Sequence, residues 1–141
     1  MFRYIIAMAY DKHKIENILV GISGELTYHL IKLYLFNNSV YAAHWRNEVY
    51  SFLNNIPKFK HNKKLPSAKF IYENISGYLD ECEDIMHVIL EEYNSFTPCR
   101  FDSKELYRCI DRYFLWISDY LSQHVAVTSH EVYTQLKKLG L

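Results

Sequence analysis

An apolar seam between residues 68 and 93 constrains the fold of this chain more than any other feature. Apolar side chains recur along it at spacings that alternate between four and three residues: Ile71, Ile75, Tyr78, Cys82, Ile85 and Ile89. This heptad spacing is typical of an amphipathic helix that buries one face. The seam predicts a helix over residues 68–93, with a kink or a close helix contact at Gly77.

The rest of the chain carries the same helical signature. Apolar spacing and end signals predict a helix from residue 4 to a stop at Gly21 or Gly24, and further helices over residues 25–36, 39–56, 103–120 and 129–139. Strand signals are almost missing, because the sequence has no Asn-Gly turn and no sustained alternation. We therefore expect an all-α, single-domain bundle of five or six helices with short loops, spanning residues 1–141.

Cysteine usage and the length of the apolar runs bear on the cellular compartment. The three cysteines, Cys82, Cys99 and Cys109, are odd in number and widely spaced, so neither a disulfide framework nor a zinc site is expected. No apolar run approaches the roughly 18 residues of a membrane span. These features predict a cytoplasmic protein that does not act at a membrane.

The sequence lacks the motifs of the common catalytic sites. It has no GxSxG, HExxH, P-loop or GxGxxG pattern, so no enzyme activity and no cofactor are expected. A metal-dependent helical enzyme using Asp84, His87 and Glu91 is a third hypothesis, but di-iron bundles need a second carboxylate and histidine element, which we do not find. We expect no metal site. Cys99 is the one thiol whose loop context suggests exposure.

The distribution of charge is more informative than its total. The formal net charge is zero, from 16 basic and 16 acidic residues, which argues against a generic nucleic-acid coat. Residues 1–69 hold ten basic and four acidic residues, a net of +6. Residues 70–99 hold seven acidic residues and no basic one, a net of −7, and residues 100–141 are close to neutral. The chain is therefore strongly polarised.

The seven acidic residues all fall on the helix predicted over residues 68–93, mostly off its apolar seam. We define them as the acidic face: Glu73, Asp80, Glu81, Glu83, Asp84, Glu91 and Glu92. No lysine follows any of them at the i+4 position. The face is either solvated, or covered by a basic loop, or a docking surface for a basic partner, with Tyr78 and Tyr93 as aromatic contacts.

The basic loop at residues 58–64 supports a different hypothesis. It reads KFKHNKK, and Lys58, Lys60, Lys63 and Lys64 could contact a phosphate backbone while Phe59 stacks on a base. A solvated connection between helices is the alternative interpretation of the same residues.

The hypothesis favoured by the sequence is a small non-enzymatic inhibitor or adaptor. It would dock the acidic face on a basic, nucleic-acid-handling protein, in the manner of an immunity protein, an antitoxin or a phage-encoded inhibitor. The alternative is a nucleic-acid-binding regulator that uses the basic loop. Because a heptad seam can also pair two copies of a chain, a homodimer stays open.

Overall fold

The computed structural model describes residues 2–54, 67–96, 100–123 and 128–141, with side chains described from residue 16 onward. Six α-helices occupy these ranges: α1 (Phe2–Phe36), α2 (Ala42–Asn54), α3 (Ala68–Ile75), α4 (Cys82–Glu92), α5 (Ser103–Leu121) and α6 (Ser129–Lys138). A 3-10 helix, Ser76–Glu81, joins α3 to α4. The described ranges contain no strand, and the predicted all-α bundle is confirmed.

Helix α1 is the long central element of the bundle. Its 35 residues run without a break through both glycines, so the predicted stop at Gly21 or Gly24 is wrong. Glycine costs about 1 kcal/mol relative to alanine inside a helix. Burial of the following stretch offsets that cost, since residues 29–36 are all buried. The two helices predicted on either side of the glycines are therefore one.

Gly24 has a packing role in α1. A Cβ atom added there would lie 3.3 Å from the ring of Tyr78, so the missing side chain lets the 3-10 helix approach α1 closely. Added at Gly21, a Cβ would meet nothing within 4 Å. The buried hydroxyl of Thr27 donates to the Ser23 carbonyl and needs no partner from another helix.

The helix predicted over residues 68–93 is divided by the 3-10 helix. Six residues at 3.0 per turn rotate about 120° further than six residues at 3.6 per turn. Leu79 is accordingly buried while Tyr78 is only half-buried. Gly77 lies within this change from α-helix to 3-10 helix. The close helix contact that was the alternative at Gly77 is not found among the described residues, because a Cβ there would meet nothing within 4 Å.

Capping residues set the beginnings of three helices. The Ser67 hydroxyl accepts a hydrogen bond from the Phe70 amide before α3, as its sequence position predicts. The Asp102 carboxylate accepts hydrogen bonds from two amides at the start of α5, and the Thr128 hydroxyl accepts one from the Glu131 amide before α6. Each cap satisfies amides that have no partner within the helix.

The last residues of the chain are fixed in the core. Leu141 is buried, and Gly140 adopts the left-handed conformation, with φ at 75°, that ends α6. The Arg46 side chain donates to the Leu141 carbonyl at 2.9 Å, and Asn37 and Arg100 both donate to the Gly140 carbonyl. These contacts tie α6 to α2 and to the end of α1.

None of the described helices is long and apolar enough to cross a membrane.

Continuity of α1 can be tested at its two glycines. We expect Gly21→Ala to raise the free energy of unfolding by about 0.5–1 kcal/mol, because alanine favours the helix and its methyl group has room. Gly24→Ala is the matched control and should gain less, since its methyl group meets the Tyr78 ring. Urea denaturation followed by circular dichroism measures both. Destabilisation by Gly21→Ala would show that α1 ends there.

Candidate protein interface

The structure exposes every residue of the acidic face. Glu73 lies on α3, Asp80 and Glu81 lie on the 3-10 helix, and the other four residues lie on α4. The face therefore spans three consecutive helical segments rather than the single helix that the sequence predicted. Glu83 and Asp84 occupy the first turn of α4, where the helix dipole stabilises negative charge.

The acidic face lacks basic partners within the described part of the chain. The ion pairs found there lie elsewhere, joining His29 and His44 to Glu48 and joining Arg100 to Glu105. Among the described contacts, Glu92 is the one member with a hydrogen bond, which it accepts from the Tyr28 hydroxyl on α1. Among the described residues, the carboxylates of the face therefore have no basic ion-pair partner.

The two tyrosines proposed as contacts of the acidic face are half-buried. Tyr78 packs its ring against the Gly24 position of α1. Tyr93 contacts Trp45 and Phe96, with ring centroids 6.0 and 5.3 Å apart. Packing within the bundle accounts for much of the area of both rings.

More exposed apolar side chains lie beside the acidic face, and sequence reasoning did not select them. Val88 on α4 and Tyr107 on α5 are 51% and 43% exposed. Tyr107 lies on α5, which packs against the 3-10 helix that carries Asp80. Burial raises the pKa of Tyr107, and the negative charges of Asp111 and Asp80 raise it further. The sequence does contain a signal for the exposure of Tyr107, because this residue falls outside the apolar spacing of its helix.

Helix α5 extends and bounds the acidic surface. Asp111 accepts a hydrogen bond from the Tyr72 hydroxyl of α3, which fixes one more carboxylate near the face. That hydrogen bond is the main reason that the pKa of Tyr72 is raised to about 12. Arg108 and Arg112 are also exposed on α5, so the strongly negative region is confined to α3, the 3-10 helix and α4.

Lys32 on α1 is buried, which the sequence analysis did not predict. The Lys32 ammonium lies 4.7 Å from the centroid of the Tyr28 ring and 5.1 Å from that of Trp45, and the Tyr93 ring stands at 5.9 Å. Burial lowers the pKa of Lys32, while nearby glutamates including Glu48 oppose that shift. The aromatic faces stabilise the desolvated cation and link α1 to α2 and to the end of α4.

Histidine and glutamate side chains also join α1 to α2. His29 is buried, with Nδ1 2.8 Å from the Glu25 carbonyl oxygen and Nε2 against the Glu48 carboxylate. The exposed His44 contacts the other oxygen of Glu48. The sequence analysis selected none of Glu25, His29 and Glu48.

The residues of the metal hypothesis do not form a site. Asp84, His87 and Glu91 are exposed on α4. In the described ranges, no three side chains of histidine, cysteine, aspartate or glutamate are arranged to hold a metal ion. The basic loop, with Lys58, Phe59, Lys60, Lys63 and Lys64, lies outside the described residues, as does Cys99.

The two described cysteines have suppressed nucleophilicity. Burial raises the pKa of the Cys82 thiol to about 12, and the negative charge of Asp80 adds to this shift. Burial also raises the pKa of Cys109, whose Sγ lies 3.5 Å from the Leu139 carbonyl oxygen. Since the thiolate is the reactive form, neither residue suits nucleophilic catalysis.

Thiol labelling provides a direct test of this environment. In a Cys99→Ser background, we expect Cys82 and Cys109 to react with an aromatic disulfide reagent at pH 8 about 100-fold more slowly in the folded protein than in urea. Val88→Cys in the same background is the control, because its thiol stands on the exposed side of α4. It should react rapidly in the folded state. Equal rates for folded and unfolded protein would contradict the structure.

Comparison with known proteins found no related family. No family model matches the chain, and neither a curated protein nor a solved structure matches it. The acidic face and its exposed apolar neighbours are therefore interpreted from their own chemistry.

Proposed function

We propose that this chain is a small non-enzymatic inhibitor or adaptor that docks its acidic face on a basic, nucleic-acid-handling protein. Immunity proteins, antitoxins and phage-encoded inhibitors are examples of this type of function. The observation that carries the proposal is the exposure of all seven carboxylates, none of which forms an ion pair with a described lysine or arginine. Solvation of the face alone is the competing interpretation.

The density of charge supports a partner that binds nucleic acid. From Glu73 to Glu92 the α-helical and 3-10 rises give a contour of about 30 Å, which carries seven negative charges grouped at residues 73, 80–84 and 91–92. The mean density, one charge per roughly 4 Å, is close to that of a single nucleic-acid strand, one phosphate per about 3.4 Å. A protein surface built to bind phosphates would therefore meet a similar density of negative charge.

Free energy and kinetics both favour association with a basic surface. Carboxylates crowded on one face repel one another, and a cationic partner relieves that repulsion. A field of one sign also steers the encounter, which raises the association rate most strongly at low salt. Exclusion of nucleic acid from the same basic surface would then produce stoichiometric inhibition without any chemical step.

Apolar contacts must supply the part of the binding free energy that exposed charges do not supply. Exposed ion pairs contribute roughly 0–1 kcal/mol each. Val88 lies on the same helix as four of the carboxylates, and Tyr107 lies beside Asp80. Aromatic side chains are enriched among residues that dominate binding energy, which suits Tyr107 to such a role.

Charge reversal on the acidic face tests the proposal. The tagged protein and a Glu81→Lys, Glu83→Lys, Asp84→Lys variant are used to purify partners from the cells that make this protein, with and without nuclease. We expect a stoichiometric, nuclease-resistant protein partner that the variant does not retain. With the purified partner, surface plasmon resonance should show an association rate lower by about 10- to 100-fold for the variant.

Two single variants provide the matched control. Asp84→Lys and Asp119→Lys make the same charge change at exposed helical positions, but Asp119 lies on α5 outside the acidic face. We expect Asp84→Lys alone to weaken partner binding, and Asp119→Lys to leave it within about twofold. Unchanged partner binding by the triple variant would sink the proposal. Nucleic acid recovered without a protein partner would favour the basic loop instead.

A further inference from the structure

Helix α5 carries a row of exposed cations that the proposed docking function does not use. Lys104, Arg108 and Arg112 follow one another at intervals of four residues, so they lie along one side of the helix. All three residues are exposed, and we define them as the basic stripe. Its first and last members are eight residues apart, which corresponds to about 12 Å along an α-helix.

The basic stripe has no anionic partner within the described part of the chain. The ion pairs found there include no member of the stripe. Asp111 lies between Arg108 and Arg112 in sequence, but its carboxylate accepts a hydrogen bond from the Tyr72 hydroxyl of α3. The three charges of the stripe are therefore available to another molecule.

Exposed apolar side chains accompany the charges on both surfaces. On α5, Tyr107 precedes Arg108, and Leu115, which is 50% exposed, lies three residues after Arg112. On α4, Val88 is exposed on the same helix as four carboxylates of the acidic face. A protein interface needs apolar area of this kind, because exposed ion pairs alone contribute little to binding.

The acidic face on α4 matches the basic stripe in length and in helical form. Glu83 and Glu91 are both exposed and are eight residues apart, so about 12 Å separates them along the helix axis. Asp84 and Val88 lie between them in sequence. Two such helices packed side by side would bring carboxylates against cations over the same length.

The two surfaces lie on neighbouring parts of the same molecule. Helix α5 packs against α3, the 3-10 helix and α4, and these three segments carry the acidic face. Within one copy, the described residues form no ion pair between the stripe and the face. A second copy related by a two-fold axis can place each stripe opposite the face of the other copy, which makes the same contacts twice.

We propose that the basic stripe binds the acidic face of a second copy of this chain, and that the protein forms a dimer through these contacts. A phosphate backbone would also attract the stripe, but the seven carboxylates on the adjoining segments repel a polyanion. In the reciprocal dimer, the second copy brings its own cations towards those carboxylates, so the repulsion is relieved.

Self-association covers the carboxylates that the proposed function uses. The monomer is then the form that binds a basic partner, and the protein concentration sets how much monomer is free. This consequence rests on the proposed function, whereas the dimer is measured with the pure protein alone.

Sedimentation equilibrium of the pure full chain, with a reducing agent present, tests the dimer. We expect dimer to predominate at about 100 μM protein in about 0.1 M salt, and the dissociation constant to rise at least about tenfold in about 1 M salt. The physical reason is screening, because the Debye length falls from about 10 Å to about 3 Å between these conditions. A monomer at the lower salt concentration, or a dimer that does not respond to salt, contradicts the proposal.

A charge swap identifies the two surfaces. One variant, Arg108→Glu with Arg112→Glu, makes the stripe negative, and the other, Glu83→Lys with Asp84→Lys and Glu91→Lys, makes α4 positive. We expect the dissociation constant of each variant alone to be at least about tenfold higher than that of the wild type, because like charges then face each other. An equimolar mixture should form a heterodimer within about threefold of the wild-type dissociation constant, because opposite charges face each other again.

A charge change elsewhere is the control. Lys137→Glu with Lys138→Glu makes the same change in charge as the stripe variant, at exposed positions of α6, and should leave the dissociation constant within about twofold. Thermal unfolding followed by circular dichroism verifies that each variant folds, and the salt dependence of the wild type needs no variant. A mixture that associates no more tightly than the separate variants overturns the proposal, as does a stripe variant that dimerises like the wild type.

The two proposals fail in different ways. If the pure protein is monomeric and the Glu81→Lys, Glu83→Lys, Asp84→Lys variant loses its partner, the docking function stands and the dimer is wrong. If the mixture restores the dimer while that variant retains its partner fully, the dimer stands and the docking function is wrong.

Discussion

The burial of the second half of α1, residues 19–36, among the other helices is the interaction on which the rest of the structure depends. An isolated helix gains little net stability in water, so α1 persists because α2, α3, α4 and α5 cover its apolar side chains. The same burial encloses Lys32, which the surrounding rings and glutamates make tolerable. The apolar sides of α3, the 3-10 helix and α4 are buried in the core, and the carboxylates on these elements are exposed to solvent.

The position of the acidic face follows from this arrangement. The apolar seam of residues 68–93 turns inward against α1 and α5, with Ile71, Ile75 and Ile89 buried. Carboxylates off the seam are therefore directed outward into solvent. The extra rotation of the 3-10 helix accompanies the burial of Leu79 and the exposure of Asp80 and Glu81. A single straight α-helix would distribute these groups differently.

Polar side chains also connect the helices. The buried His29 of α1 contacts Glu48 of α2, and the hydroxyl of Tyr28 connects α1 to Glu92. Burial raises the pKa of the thiol of Cys82, which removes its nucleophilic form at neutral pH. The described surface carries seven carboxylates that have no described basic partner, and the exposed Val88 and Tyr107 lie on α4 and α5.

Local sequence patterns were enough to predict the helical class, the cap at Ser67 and the clustering of acidic charge, because these depend on spacing and composition. They left the cap of α5 open between Asp102 and Ser103, and the structure places it at Asp102. Tertiary packing determined that α1 continues through Gly24. The absence of a side chain at this position leaves room for the ring of Tyr78. It also set which tyrosines are accessible and brought Tyr41 against Phe96. Contacts between residues far apart in the chain arise from packing, which no local pattern encodes.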